Sequence, residues 1–340
     1  RVAVAGHRVD DREAAVVGGE AHAGHLDGEL LGHRLDARRR PGAHATADAE
    51  ILQCVGSLGT VITAIITPFD ADLKVDEEAF VALMHHLRDH GSDGIVVCGT
   101  TGEAATLTDE EHLGLVELAV RERPEGLTII AGTGSNDTRH AVHLTERATE
   151  LGVDAVLSVT PYYNRPNRRG IVAHFREVDR ATDKPIVLYN IPSRTGTDMP
   201  NDLLAELAQL EHVTAVKQAN NDNLALVDGL ELYAGNDEIF ARTLDLGGHG
   251  GILVASHVVG DEMARMVAEP ERRAEIDASL RDVYAAMGVT TNPIPVKAAV
   301  EMIGLRAGGL RLPLVEASDE EKAEIRAALE RHGLLSGAAS

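Results

Sequence analysis

The chain has 340 residues, of which 44% are hydrophobic and 25% are charged. No apolar run approaches the roughly 18 residues of a membrane span, so the composition excludes a membrane helix and argues against wholesale disorder. The formal net charge of −22 has the wrong sign for binding a nucleic-acid backbone, and two cysteines are too few for a disulfide framework. No secretory signal pattern opens the chain, so we predict a cytoplasmic protein without nucleic-acid or membrane partners.

Residues 1–55 differ in composition from the rest of the chain. They contain five of the 16 histidines, no Phe, Tyr, Trp, Met or Lys, and no sustained helical or strand period. We therefore predict an unstructured or spurious N-terminal extension over residues 1–55, with translation starting near Val55.

From residue 60 onward, short β-branched apolar runs alternate with amphipathic stretches of ten or more residues. The runs are TVITAII (60–66), GIVVCG (94–99), LTIIAG (127–132), AVLSVT (155–160), PIVLYN (185–190), VTAVKQ (213–218), LELYAG (230–235) and GILVAS (251–256). Eight such strands predict an α/β fold, a (β/α)8 TIM barrel, over residues 56–265. The alternative is an open doubly wound sheet. Residues 266–340 are predicted to form a C-terminal helical extension.

Catalytic groups of a TIM barrel lie at the carboxyl ends of its strands. Lys217 ends the predicted sixth strand, whereas none of the other four lysines is predicted to point into a pocket; they are Lys74, Lys184, Lys297 and Lys322. Apolar walls disfavour an ammonium, so a lysine in this position can supply the free amine that attacks a ketone. The alternative is a lysine at the barrel rim that pairs with an acidic neighbour.

An imine mechanism also needs groups that transfer protons and bind carboxylates. Tyr163 and Tyr189 follow adjacent predicted strands, and Thr100 and Thr101 offer hydroxyls near them. Phenols and hydroxyls can relay protons between a carbinolamine, an enamine and water. Arg194, in PSRTG, carries a guanidinium fork that suits a carboxylate. The alternatives are core aromatic residues and a loop salt bridge.

Eight short motifs occur in order along the predicted barrel and the segment after it. They are AIITPF (64–69), GTTGE (99–103), AGTGSN (131–136), TPYYNRP (160–166), YNIPSRTG (189–196), VK (216–217), LGGHGGI (246–252) and NPIPVKAAV (292–300). With these motifs, residues 57–335 resemble the lysine-dependent aldolase family that contains dihydrodipicolinate synthase and N-acetylneuraminate lyase. The resemblance implies a lyase that condenses pyruvate with L-aspartate 4-semialdehyde to 4-hydroxy-tetrahydrodipicolinate, in lysine and diaminopimelate biosynthesis.

The same resemblance implies the catalytic roles of four residues. Lys217 is expected to form the imine with pyruvate, and Tyr189, Thr100 and Tyr163 are expected to form the proton relay. Tyr163 is expected to reach in from a neighbouring subunit of a homotetramer, built as a dimer of dimers. Because the imine is covalent, no metal, nucleotide or other cofactor is expected.

The resemblance further implies which residues contact the substrates. Thr101 is expected to hold the pyruvate carboxylate and Arg194 the carboxylate of aspartate semialdehyde, while Gly235 and the backbone of Ile252 border the pocket. An effector site for lysine is also implied, and its matching residues are His112, Asn136 and Tyr162. Three positions depart from that effector pattern, namely Ala104, Asp109 and His140, so we expect weak or absent inhibition by lysine.

Several other interpretations follow from departures and weaker signals. Gln218 stands where the family usually has an acidic residue, which leaves open a related pyruvate-dependent aldolase or a sugar-acid lyase or dehydratase. A barrel that binds a ligand without catalysis also stays open. The segment GTGSND lacks the third glycine and the acidic ribose ligand of a dinucleotide site. The paired histidines of two predicted helices lack a third ligand at metal-binding spacing, so no metal site is predicted.

Overall fold

The computed structural model describes residues 58–335, and the predicted N-terminal extension over residues 1–55 lies outside that range. Eight parallel strands close into a barrel in chain order, β1 to β8, with β8 pairing back onto β1. The strands are β1 Val61–Ala64, β2 Gly94–Val97, β3 Thr128–Gly132, β4 Ala155–Val159, β5 Ile186–Asn190, β6 Val213–Gln218, β7 Glu231–Ala234 and β8 Gly250–Leu253. Each strand falls within or overlaps its predicted run, so the TIM barrel is confirmed and the open sheet is excluded.

Helices connect the strands and continue beyond the last one. The helices are α1 Glu77–Asp89, α2 Asp109–Arg121, α3 Thr138–Leu151, α4 Arg168–Asp179, α5 Pro192–Thr195, α6 Asn201–Leu207, α7 Phe240–Asp245, α8 Ser256–Ala268, α9 Arg273–Met287, α10 Ile294–Met302 and α11 Asp319–Arg331. Short 3₁₀ turns lie at Ala104–Thr106, Asn221–Asn223 and Asp237–Ile239. Among the described residues, no helix combines the length and apolarity that crossing a membrane requires.

Local sequence explains where the helices begin and end. The Asp76 side chain caps α1 by accepting a hydrogen bond from the Ala79 N–H at 3.0 Å. Thr108 and Glu111 form a reciprocal capping box at the start of α2. Gly152 ends α3 with a φ of 89°, a left-handed conformation that costs glycine little.

Side-chain alternation along the strands separates two apolar layers. Residues that point inward fill the barrel, and they include Ile62, Val96, Ile130, Tyr233 and Ile252. Residues that point outward pack between the sheet and the helices. Because both faces of each strand are covered, the strands read as continuous apolar runs, as parallel sheets require.

The C-terminal helices pack beside the end of the barrel chain. Helix α9 packs against α8, and α11 packs on both α9 and α10. Helix α8 runs through the predicted boundary between residues 265 and 266 and ends at Ala268. The segment before α10, α10 itself and the loop after it also contact the carboxyl-end loops of the barrel, through Asn292, Lys297 and Arg311 respectively. The helical extension thus supports the loops in which the sequence places the catalytic groups.

Closure of the barrel requires a glycine at the start of β8. A Cβ atom on Gly250 would lie 2.2 Å from the Thr60 carbonyl oxygen, and Gly251 N donates to that same oxygen at 2.9 Å. We predict that Gly250→Ala destabilises the fold by about 1–3 kcal/mol through overpacking. Urea unfolding followed by circular dichroism measures the change.

Gly114 provides the matched control, since it is exposed on α2 and an added Cβ would meet nothing within 4 Å. Gly114→Ala is expected to stabilise the protein by about 0.5–1 kcal/mol, because alanine loses less conformational freedom in a helix. A Gly250→Ala protein as stable as the wild type would contradict the close contact between β1 and β8.

Candidate active site

A cavity of about 420 Å³ opens at the carboxyl ends of the strands. Loops after β2, β4 and β5 contribute Thr100, Tyr162 and Arg194 to its lining, and the segment before α10 contributes Asn292. Tyr189, at the end of β5, also lines it. The cavity therefore collects side chains from several strands at the end of the barrel where such folds place their chemistry.

Lys217 lies on the inner face of β6; it is not among the residues that line the cavity, but it contacts Tyr189, which is. In register it stands between Tyr189 of β5 and Tyr233 of β7, and its Nζ is 4.3 Å from the centre of the Tyr189 ring. Side chains two residues apart share a face of a strand, so Lys217 points the same way as Ala215, which packs inside the barrel. The strand ladder on both sides thus fixes the position of the lysine.

The environment of Lys217 favours its neutral amine. Burial lowers the pKa of Lys217 to about 8; the nearby charge of Asp237 opposes this effect and that of Arg194 adds to it. Within residues 58–335, Lys217 forms no ion pair with a carboxylate, which argues against the alternative of a simple salt bridge at the rim. A lysine with this pKa has a substantial neutral fraction near pH 8 and can act as a nucleophile.

Tyr189 and Thr100 form a polar pair beside the lysine. Burial raises the pKa of Tyr189 to about 12, and a hydrogen bond with the Thr100 side chain opposes the rise. The phenol is therefore protonated at neutral pH and can donate its proton to a neighbouring group. Thr100 itself is exposed toward the opening, so the pair connects the buried amine with the outer part of the site.

The residues expected to bind carboxylates converge on Asn292. Thr101 is buried and its Oγ1 accepts a hydrogen bond from Asn292 Nδ2 at 3.0 Å. The exposed Arg194 donates from Nη2 to the Asn292 carbonyl oxygen at 3.2 Å. No carboxylate of the described chain pairs with Arg194, so the loop salt bridge weighed above is absent there.

Gly235 follows β7 and Ile252 lies on β8, and neither is among the residues that line the cavity, so their place at the pocket border stays a prediction. A Cβ on Gly235 would lie 2.7 Å from the Cβ of Ala219, so only glycine allows the segments after β6 and β7 to approach so closely. Ile252 is fully buried on β8 and belongs to the apolar layer inside the barrel.

Tyr163 lies away from the cavity of its own chain. It is 89% exposed and has a φ of 70°, whereas its neighbour Tyr162 is 38% exposed and lines the cavity. A large aromatic side chain left in solvent does not act in its own pocket, and its predicted role depends on a second subunit.

The residues expected at the effector site are only partly brought together. His112 and Tyr162 line the cavity, and burial lowers the pKa of His112, whose Nε2 donates to the Gly132 carbonyl oxygen at 2.8 Å. Asn136 lies near the end of the loop between β3 and α3, where its carbonyl oxygen accepts a hydrogen bond from Asn164 Nδ2. His140 Nε2 lies 3.0 Å from Asp109 Oδ1, so two of the positions that depart from the effector pattern contact each other. Weak inhibition by lysine stays a prediction.

Sequence reasoning missed a second buried lysine. Lys297 of α10 is 2% exposed, its Nζ lies 2.6 Å from Glu103 Oε1, and it donates to the Gly309 carbonyl oxygen at 2.7 Å. It also lines a cavity of about 500 Å³ formed with α11, so the expectation that it points into no pocket is wrong. The signal was the acidic end of GTTGE, since a buried ammonium requires a partner.

Asp237 was also missed, although it follows the glycine of the motif AGND. Its Oδ1 accepts hydrogen bonds from the backbone N–H groups of Val254 and Ala255 at 3.0 and 3.1 Å. Burial raises the pKa of Asp237 to about 6, while these two bonds and Lys217 oppose the rise. The carboxylate thus stabilises the backbone just after β8, and its negative charge opposes the lowering of the Lys217 pKa.

Histidine, cysteine and acidic side chains do not gather into a cluster of three or more that could hold a metal ion anywhere in residues 58–335. Cys98 is a buried free thiol whose pKa is raised by burial. Its burial makes it a poor nucleophile.

Comparisons with known proteins agree with this geometry. A model of the dihydrodipicolinate synthetase family matches residues 57–332. The 4-hydroxy-tetrahydrodipicolinate synthase of Moorella thermoacetica is 42% identical over 290 residues, covering 82% of this chain and 99% of that protein. The enzyme of the same name from Thermosynechococcus vestitus is 42% identical, with 82% and 98% covered.

Solved structures give the same result. The dihydrodipicolinate synthase of Cyanidioschyzon merolae, with lysine bound, is 38% identical with a TM-score of 0.79, covering 82% of this chain and 99% of that one. The enzyme of Acinetobacter baumannii, complexed with pyruvate, is 34% identical with a TM-score of 0.79, covering 82% and 100%. The chain therefore belongs to the dihydrodipicolinate synthetase family.

Proposed function

We propose that the chain condenses pyruvate with L-aspartate 4-semialdehyde to form 4-hydroxy-tetrahydrodipicolinate. The observation that carries the proposal is Lys217, a buried amine with a pKa of about 8 whose Nζ lies 4.3 Å from the ring centre of Tyr189, a phenol that lines the cavity. This chain matches nearly the whole length of relatives named 4-hydroxy-tetrahydrodipicolinate synthase, which supports the same reaction. The enzyme class is that of these relatives, a lyase.

The reaction begins with attack of the neutral Lys217 amine on the ketone carbon of pyruvate. The carbinolamine loses water to give an imine, and loss of a proton from the methyl group then gives a nucleophilic enamine. Tyr189 is a protonated group whose ring centre lies 4.3 Å from the Lys217 Nζ, and Thr100 links it to the outer part of the site. The pair is suited to transfer the protons that carbinolamine breakdown and imine formation require.

Condensation joins the enamine carbon to the aldehyde carbon of the semialdehyde. The amino group of the bound semialdehyde then attacks the imine carbon, which closes the ring and releases Lys217 as a free amine. Thr101 and Arg194 supply the groups that hold the two substrate carboxylates, Thr101 for pyruvate and Arg194 for the semialdehyde. The exposed guanidinium of Arg194 has no carboxylate partner in residues 58–335 and is free to bind one.

We further propose a homotetramer in which Tyr163 completes the proton relay of a neighbouring subunit. The exposure of 89% and the left-handed backbone of Tyr163 support this role, because a non-glycine residue is held at positive φ at a cost. The reaction needs no cofactor in this proposal, since the imine itself withdraws the electrons. The negative net charge and the reaction also fit a cytoplasmic site.

Replacing the lysine tests the proposed chemistry. We predict that Lys217→Arg folds normally and loses turnover with pyruvate and aspartate semialdehyde, because a guanidinium keeps the charge but cannot form the imine. Steady-state kinetics with circular dichroism as the folding control measure both properties. Turnover within tenfold of the wild type would rule out the mechanism, and turnover of sugar acids by the wild-type enzyme would favour the alternative lyase.

The pKa of Lys217 predicts the pH dependence of imine formation. The folded-state pKa of about 8 means that the reactive amine is depleted below pH 8 and dominant above it. The rate constant for imine formation should therefore rise about tenfold per pH unit up to about pH 8 and level off above it. Stopped-flow measurements at saturating pyruvate test this profile, and a rise that continues toward pH 10 would show an unperturbed lysine.

The proposed role of Tyr163 predicts that activity depends on assembly. Light scattering of the active enzyme is expected to give a tetramer, and Tyr163→Phe is expected to lower kcat while leaving the tetramer intact. Tyr162→Phe serves as the neighbouring control for loss of a phenol. An active monomer, or a Tyr163→Phe enzyme with wild-type kcat, would contradict the shared relay.

A further inference from the structure

The loop that carries Arg194 is closed at its base by one buried side chain. Asn190, the last residue of β5, is fully buried, and its Oδ1 accepts a hydrogen bond from Met199 N at 3.0 Å. Its Nδ2 lies 3.2 Å from the Met199 carbonyl oxygen and 2.9 Å from Asp198 Oδ1. The two ends of the segment 191–198 are therefore tied together.

Asp198 is the central acceptor of the amide network that closes this loop. Its Oδ1 accepts from Asn190 Nδ2 and from Asn220 Nδ2 at 3.1 Å, and its Oδ2 accepts from Asn223 Nδ2 at 2.8 Å. In the part of the chain that the structure describes, no lysine or arginine pairs with Asp198. Three amide groups, rather than a cation, thus stabilise the carboxylate; one comes from the end of β5 and two come from the segment after β6.

The same amide network includes a residue of β6, the strand that carries Lys217. Gln218 is buried, and its Oε1 accepts from Asn190 Nδ2 and from Asn220 N, both at 3.0 Å. Because side chains alternate along strands, Asn190 and Gln218 point outward while Tyr189 and Lys217 point inward. The amide network therefore lies directly behind the two strand ends that face the cavity.

The position of Arg194 depends on this amide network more than the position of Lys217 does. Backbone hydrogen bonds of the segment run within it, from Arg194 N to the Ile191 oxygen and from Gly196 N to the Pro192 oxygen. Within residues 58–335, the side chain of Arg194 itself has one hydrogen-bond partner, the Asn292 carbonyl oxygen. Lys217, in contrast, is held by strand ladders on both sides.

From this geometry we propose that Asp198 is a positioning residue for the second substrate. Its carboxylate gathers the amides that fix the Arg194 loop against the ends of β5 and β6, and so sets the place of the guanidinium above the cavity. The inference rests on the proposed function, in which Arg194 holds the carboxylate of the semialdehyde. It assigns Asp198 no contact with either substrate.

The test compares Asp198→Ala with Asp202→Ala. Asp202 is the matched control. It is an exposed carboxylate four residues further on, which pairs with Arg168 and is not part of the amide network. Asp198→Ala is expected to raise the KM for aspartate semialdehyde by about tenfold, because a displaced Arg194 would lose about one charge-assisted hydrogen bond to the substrate carboxylate. The rate at which the pyruvate adduct forms, measured by borohydride trapping, is expected to stay within about twofold of the wild type. Asp202→Ala is expected to match the wild type in both the semialdehyde KM and the rate of adduct formation.

Two outcomes for Asp198→Ala overturn the proposal. One is a semialdehyde KM that rises by less than threefold, and the other is an equal loss in adduct formation and in the use of semialdehyde, which indicates a general structural role. If Asp198→Ala fails to fold, Asp198→Asn takes its place, since its amide nitrogen would face the donor of Asn223, and the same two criteria apply. Absence of the pyruvate adduct in the wild-type enzyme would instead refute the proposed function, so the two failures are distinguishable.

Discussion

The burial of an unpaired lysine at the end of β6 is the constraint on which the site depends. Taking an ammonium out of water disfavours its charged form, and this desolvation lowers the pKa of Lys217 to about 8. Lys297 shows the contrast within the same molecule, because Glu103 lies 2.6 Å from its Nζ and the Gly309 carbonyl oxygen accepts a further hydrogen bond. The two buried lysines therefore differ: Lys297 is a paired structural cation, and Lys217 is the nucleophile that we propose.

The barrel supports the unpaired lysine in two ways. Strand pairing on both sides holds Lys217 over the face of the Tyr189 ring, so no carboxylate is needed to keep it in place. The structural pair of Lys297 and Glu103 in turn holds the loop that contains Thr100 and Thr101. Glu103 adopts a left-handed backbone at φ 54°, and its second oxygen accepts from Arg311 N at 3.1 Å. The C-terminal helical segment thus contributes to the site without supplying the nucleophile.

The sequence was informative wherever a local pattern carries the physical cause. Alternating apolar runs identified all eight strands, and the position of Lys217 at the end of one run placed it at the carboxyl rim. Contacts between residues far apart in the chain could not be predicted in this way. Lys297 and Glu103 are separated by nearly the length of the barrel, and neither helical period nor composition indicates their pairing. The amide network around Asp198 was missed for the same reason, since single asparagines in loops read as ordinary turn residues.

Identification of the lysine that pyruvate modifies tests directly whether Lys217 is the nucleophile. The enzyme is incubated with pyruvate, reduced with borohydride and digested, and the peptides are sequenced by mass spectrometry. Because Lys217 has no ion pair within residues 58–335 and Lys297 is held by Glu103, we predict one reduced pyruvate adduct on Lys217 and an unmodified Lys297. An adduct on Lys297, or no adduct on Lys217 at pH 8, would contradict it.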